Sequence, residues 1–221
     1  MTEVDYFRRA LWISVLLAVI PATLLAIPIN IVAYSFEDER PPNNGGYVPG
    51  WDYSPPGGMT GAGTYYPGDP SILFNAISPG KYIPDGKIFG WSNGGSLSQV
   101  LPDILTRNMS YFLQVDVGQR KDCCESESFP VVALYAGSTL LASVSVDPAP
   151  GGWVTASLRY TTSSSDPLLG QPLKIVLSAS GIQANFDNVR LDGTMPEPAA
   201  VTLVLAGLIA GIFARRRTAT R

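Results

Sequence analysis

In the stretch SYFLQVDVGQR, residues 110–120, Tyr111, Leu113, Val115 and Val117 alternate with Gln114 and Asp116. A period of two sends neighbouring side chains to opposite faces, so this run fits a strand buried on one face and not a helix. The pattern recurs in GWVTASLRY, where Val154, Ala156, Leu158 and Tyr160 alternate with Thr155, Ser157 and Arg159. VVALYAGSTLLASVSV divides at Gly137-Ser138 into the two arms of a hairpin, and PLKIVLSAS reads as a further strand. Helical periodicity is absent between Ile27 and Gly193. Short strands set apart by Gly, Pro and Asp turns predict an all-β fold, an antiparallel β-sandwich. Residues 39–70 are richer in Pro and Gly than any regular element tolerates, which predicts a long ordered loop held by its aromatics.

Charge separates the body from the ends. Residues 27–198 hold nine Lys/Arg against sixteen Asp/Glu, a formal −7 in a chain of net charge −3. An acidic body repels nucleic acid, which excludes that partner class. At the N-terminus, Arg8 and Arg9 precede the apolar run 10–20, followed by Pro21, Ala22 and Ala26. These are the parts of a secretory signal peptide, residues 1–26. An uncleaved anchor is the alternative, since Glu3 and Asp5 dilute the basic flank. At the other end, residues 199–214 carry neither charge nor proline and predict a transmembrane helix. Arg215, Arg216 and Arg217 follow, within a basic end of 215–221, and the positive-inside rule holds them in the cytoplasm. Both ends then face inward, and residues 27–194 form one exported domain.

Pro196, Glu197 and Pro198 stand immediately before the apolar run. Two prolines fix φ and remove two donors, so the tripeptide stays extended and accessible at the membrane surface. Pro-Glu-Pro, a short Gly/Ala/Leu-rich helix and terminal arginines, in that order over residues 195–221, resemble the PEP-CTERM sorting tail of Gram-negative bacteria. The resemblance implies exosortase as a processing partner, an inner-membrane precursor with its body in the periplasm, and a mature form at the cell envelope, the surface or outside the cell.

IVAYSFEDE, WSNGGSLSQVL, YFLQVDVGQR and ANFDNVRLDG occur in an order that resembles the galactose-binding-like jelly rolls found as carbohydrate-binding modules and as bodies of PEP-CTERM proteins. That likeness implies a jelly-roll body and a structural calcium where the first and last strands meet, with Glu37 and Asp187 at the matching positions. Hard oxygen ligands suit that ion. The plainer reading makes Glu37 a surface acid and Asp187 a hydrogen-bond partner of a neighbouring loop.

The chain has no histidine, which excludes the Ser-His-Asp triad and His-rich metal sites. Asp69, Asp85, Asp103, Asp147, Asp166 and Asp192 lie in turn contexts and read as solvated caps. Trp51, Tyr53, Tyr65, Tyr66 and Trp91 are candidate sugar contacts, with core filling as the alternative for Trp91. Adjacent Cys123 and Cys124 leave a vicinal bridge, a cross-link and free thiols open. The expectation is an exported, non-catalytic surface or matrix protein associated with extracellular polysaccharide. A carboxylate-dependent glycoside hydrolase or lyase, and an adhesive or ice-binding protein, are the alternatives.

Overall fold

The computed structural model describes residues 26–37, 49–54, 61–123 and 130–195, and there the chain is built from strands. In chain order they are β1 (Ala26–Ile29), β2 (Asp52–Ser54), β3 (Gly61–Tyr65), β4 (Phe89–Asn93), β5 (Ser96–Ile104) and β6 (Ser110–Gly118). Then come β7 (Pro130–Ala136), β8 (Thr139–Ser145), β9 (Trp153–Thr161), β10 (Pro172–Ala179) and β11 (Ala184–Thr194). One sheet has the order β3-β4-β11-β6-β9 with β1 also on β11, and the other runs β2-β5-β10-β7-β8. Every pairing between strands is antiparallel. Two such sheets facing each other across one core make a β-sandwich.

Alternation decides what lies between the sheets. Tyr111, Leu113, Val115 and Val117 of β6 share a core with Leu97 of β5, Leu134 of β7 and Leu173, Ile175 and Leu177 of β10. On β9, Ala156 and Leu158 are buried as their spacing predicts, but Val154 is exposed because β9 is the edge strand of its sheet. The hairpin turn falls at 137–138, as read from Gly137-Ser138. One polar side chain enters the core for a reason: Gln99 accepts from the Val32 N–H and donates to the Val32 carbonyl, both at 2.9 Å, and so ties the chain after β1 to β5.

The stretch 39–70 is corrected by the structure. Asp52–Ser54 and Gly61–Tyr65 are strands on β5 and β4, while 38–48 and 55–60 lie outside the described residues. Glycine is what permits β3. A Cβ on Gly95 would come within 2.6 Å of the Gly61 backbone, an approach that any side chain there would block.

On β11 the register slips between Asp187 and Arg190, a bulge in which Asn188 takes φ 50°. Asparagine is among the few residues that adopt this conformation at little cost. β4 pairs with residues 184–186 and β1 with 191–194, so the two lie end to end along one edge of β11. The bulge faces the gap between them, which is filled by the turn at 32–35 through the Val189 N–H to the Tyr34 carbonyl, 2.8 Å.

Among the described residues no helix is long and apolar enough to cross a membrane. Residues 1–25 of the expected signal, the motif Pro196-Glu197-Pro198, the expected span 199–214 and Arg215–Arg217 lie outside them.

Phe186 is fully buried in the central strand. Phe186→Ala is expected to lower the unfolding free energy by about 3–5 kcal/mol, read by urea denaturation; a loss under about 1 kcal/mol would show that this part of the core is not packed as described.

Candidate active site

With the core residues turned inward, the alternate positions of β11, β6 and β9 stand on the outer face of the six-stranded sheet. Asp187 is the register partner of Asp116, and Asp116 that of Thr155.

Their surroundings differ. Asp187 has no exposed surface. Its Oδ2 accepts from the Asp85 N–H at 2.7 Å and its Oδ1 from the Asn188 N–H at 2.7 Å. Burial pushes its carboxyl up to about 8; the two amides pull it back, and the Asp85 and Asp116 charges add to the rise. Asp187 is therefore a carboxylic acid that keeps its proton near neutral pH. Asp116 receives three donors: the Thr155 hydroxyl at 2.6 Å and Arg190 Nη2 at 3.4 Å on Oδ1, and Asn188 Nδ2 at 2.9 Å on Oδ2. Its side chain keeps 12% of its surface in contact with solvent. At the other end of the network the Tyr34 hydroxyl binds the Asp85 carboxylate, which raises the phenol above its ordinary value.

Glu37 Oε1 accepts from the Lys87 N–H at 2.6 Å and from the Ile88 N–H. Glu37 and Asp187, separated by the whole domain in sequence, thus close on one loop, residues 83–88. Among the described residues no group of three or more His, Cys, Asp or Glu is placed to hold a metal ion. In this structure the two carboxylates clamp the loop through its backbone N–H groups.

Beside the acids, the same outer face carries a second apolar cluster of Leu73, Phe74, Ile83, Phe89 and Trp91, with Tyr65, Tyr82 and Trp153 packed on it. Phe74 lies 4.7 Å from Trp153 and 5.4 Å from Phe89, centroid to centroid. Gly118 makes room for this: a Cβ there would meet the Trp153 ring at 2.7 Å. The covering segment is pinned by the Lys121 N–H to the Leu73 carbonyl and by the Trp153 indole to the Tyr82 carbonyl, at 2.8 and 3.0 Å. The ladder of β11 with β4 ends at Phe186 opposite Gly90, so one residue further on Phe89 and Asp187 share a face.

Two grooves flank the acids. One of about 450 Å³, lined by Ile29, Ile31, Tyr34, Val189, Arg190 and Leu191, lies at the gap between β1 and β4. Its Tyr34 and Arg190 are the side chains bound to Asp85 and Asp116. The other, about 340 Å³, lies on the cover between Tyr66, Pro70, Lys81, Tyr82 and Lys87.

The aromatic candidates do not share one surface. The Trp51 indole N–H is held by the Val32 and Ala33 carbonyls, both 3.1 Å, and its ring lies on Phe36. Tyr53 packs against the main core, and Trp91 is buried with its N–H on the Thr64 carbonyl at 3.2 Å. Tyr65 stands on Phe89 with Arg120 over its ring, and Tyr66 lines the smaller groove. Asp69 and Asp166 cap turns through the Ser71 and Leu168 N–H groups, at 2.9 Å each, in keeping with their contexts. Cys123 is disulfide-bonded; Cys124 lies outside the described residues. The sequence reading missed Asp116, Thr155 and Asn188. The signal was present for two of them, since Asp116 and Thr155 occupy the polar phase of two alternating strands.

The folded Asp187 carboxyl keeps its proton up to about pH 8, whereas an unfolded aspartate releases its proton near ~4. Between those values the folded state binds the extra proton. This contribution to stability is complete at low pH and is lost as the pH rises through the window. The melting temperature of the parent is expected to fall between pH 5 and pH 8, and that of Asp187→Asn to change less; parallel profiles would refute it.

No curated protein matches the chain. Solved structures do. The Stig cyclase FisC of Fischerella sp. TAU, in complex with (3Z)-3-(1-methyl-2-pyrrolidinylidene)-3H-indole, is 24% identical with a TM-score of 0.66, covering 78% of this chain and all of its own. A cyclase from the same organism in complex with 4-(1H-indol-3-yl)butan-2-one is 23% identical, TM-score 0.66, with the same coverage. The xylan-binding CBM22-1 domain of Paenibacillus barcinonensis Xyn10C is more distant, 16% identical over 74% of this chain and 93% of its own, TM-score 0.44. A family model described as HpiC1 cyclase matches residues 27–192. That match overturns the expectation of a non-catalytic, polysaccharide-associated protein, together with its hydrolase and adhesive alternatives. The expectation leaned on the missing histidine, which does not limit a buried carboxylic acid. Matched from one end of its body to the other, the chain belongs to the HpiC1-like family.

Proposed function

We propose that this protein is a cyclase that acts by proton donation. Asp187 protonates an unsaturated substrate carrying an aromatic ring, and the cation so formed is attacked by a second π bond to close the ring. The observation that carries this reading is the acid itself: a carboxyl without exposed surface, protonated near neutral pH, on the same sheet face as Phe89, Trp91 and Trp153. Aromatic faces stabilise cations, and a dry site protects a reactive cation from capture by water. A general acid works best with its affinity for the proton near the operating pH, which burial supplies here. The groove of about 450 Å³ beside Tyr34 and Arg190 is the substrate's entry. Membership of the HpiC1-like family supports the reaction class, and the indole compounds bound by the Fischerella structures supply probes.

The test uses the full chain. 4-(1H-Indol-3-yl)butan-2-one is expected to bind, measured by calorimetry. Indoles bearing an unsaturated side chain are expected to yield products of unchanged mass and new retention time. Asp187→Asn is expected to lower turnover by roughly 10²-fold or more. Binding without any cyclisation would sink the reaction class, and an active Asp187→Asn would remove the assigned acid.

We propose further that the enzyme is delivered outside the cytoplasm through its PEP-CTERM-like tail, with exosortase as the processing partner. The Cys123 disulfide supports this, because such bonds persist in oxidising compartments. Replacing Pro196-Glu197-Pro198 by three alanines is expected to leave the chain uncleaved in the inner membrane. Mass spectrometry of the C-terminus decides: a released parent protein still ending at Arg221, in cells that have the sorting enzyme, refutes the proposal.

A further inference from the structure

The chain enters and leaves the described domain at one point. β1 begins at Ala26 and β11 ends at Thr194, and these two residues are register partners, their Cα atoms about 5 Å apart as in any antiparallel ladder. Ser110 stands opposite Thr194, and Thr161 opposite Ser110, so the start of β6 and the end of β9 lie at the same pole of the sandwich. Outward from both exits the sequence turns apolar, with arginines on the far side. Residues 10–20 follow Arg8 and Arg9, and residues 199–214 precede Arg215, Arg216 and Arg217. Five residue steps from Thr194 to Ala199 reach at most about 18 Å, whereas β11 alone runs about 30 Å to the other pole. Granted the reading of residues 199–214 as a membrane span, we infer that this pole rests on the bilayer surface of the anchored chain. The 450 Å³ groove then opens onto the lipid headgroup layer, and the apolar, indole-bearing substrate of the cyclase reading is taken from there.

The position of the groove supports this. Pro28 and Asp192, themselves register partners, line it two residues from the exit, a distance of about 7 Å along a strand. Ile29, Ile31, Val189 and Leu191 continue the lining with apolar side chains. The surface around it is of the same kind. Ile27 and Met195, one on each side of the exit, are 46% and 49% exposed, and Val32 and Tyr34 beside the groove are 46% exposed each. A bilayer interface removes such side chains from water while the tyrosine hydroxyl stays wet. Charge does not choose this surface, since Asp103, Asp166 and Asp192 stand at the same pole as Arg107. The contact is therefore tethered and apolar, not electrostatic. An indole is the side chain of tryptophan, which collects at the headgroup level. The groove thus meets its substrate at the depth where partitioning concentrates it.

The test uses the full chain reconstituted in vesicles of phosphatidylethanolamine and phosphatidylglycerol, with a little lipid carrying a photoactivatable diazirine at the top of one acyl chain. After illumination, mass spectrometry of the digest is expected to find lipid on Ile27, Val32, Tyr34 and Met195. Ile72 and Ile182 are more exposed, at 58% and 67%, but they belong to the other pole. Ile182 precedes the first residue of β11, and the Leu73 carbonyl beside Ile72 accepts from Lys121, just past the end of β6. Both are expected to stay unlabelled. Adding 4-(1H-indol-3-yl)butan-2-one is expected to reduce the label on Tyr34, inside the groove, and to leave that on Ile27 and Met195. A chain that resists alkaline carbonate extraction yet carries as much lipid on Ile72 and Ile182 as on Ile27 overturns the orientation and keeps the span. A chain that carbonate extracts overturns both. Label on Tyr34 that does not change, while calorimetry shows the ketone bound, removes the groove from the proposal and leaves the cyclase reading intact. A ketone that does not bind at all overturns the groove's substrate together with that reading.

Discussion

The site depends on the bulge in β11. Up to Asp187 the strand pairs regularly with β6, and from Arg190 it does so again, shifted. The shift lets Phe186, Val189 and Leu191 all face the core although their spacing is three and then two. It also places Asn188 where its N–H meets Asp187 and its side-chain amide meets Asp116. A regular strand would carry one of the four residues 187–190 to the wrong face. Asparagine is suited to the position on two counts, tolerance of a left-handed backbone and possession of a donor.

Burial of Asp187 is costly, and the fold offsets that cost in a particular way. A carboxylate without exposed surface would need strong donors to stay charged. The site gives Asp187 two backbone amides and assigns the guanidinium, the hydroxyl and the side-chain amide to Asp116. Keeping its proton is the cheaper course for Asp187. The difference between two neighbouring aspartates thus arises from which donors reach which strand, and from a loop that seals one and leaves the other open.

Legibility in the sequence followed locality. The strands of 110–118, 153–161 and 172–179 announce themselves through a period of two, and Gly137-Ser138 announces its turn. β3 does not, because GAGTY has neither β-branched bulk nor clear alternation. It becomes a strand only because Gly61 and Gly95 let two backbones approach. The resemblance singled out Glu37 and Asp187, and the two do converge, on the loop 83–88. The chemistry of Asp187 was hidden, since desolvation comes from a covering segment about a hundred residues earlier, a distance visible only in the fold. The missing histidine weighed toward a non-catalytic protein because local motifs reveal residue types and not their solvation.

The order in which the chain is made also bears on the site. Its parts come from the start of the domain (Tyr34, Glu37), the middle (Asp85, Asp116, Thr155) and the last strand (Asp187, Asn188, Arg190). β11 holds β6, β4 and β1 at once, so it joins elements that have no ladder with one another. Contacts of such long sequence separation form late in folding, because loop-closure entropy must be overcome first. A nascent chain that has not yet docked its final strand carries Asp116 and the aromatic cluster, but its acid is still solvated and ordinary. The dry setting of Asp187 therefore appears only with completion of the sandwich.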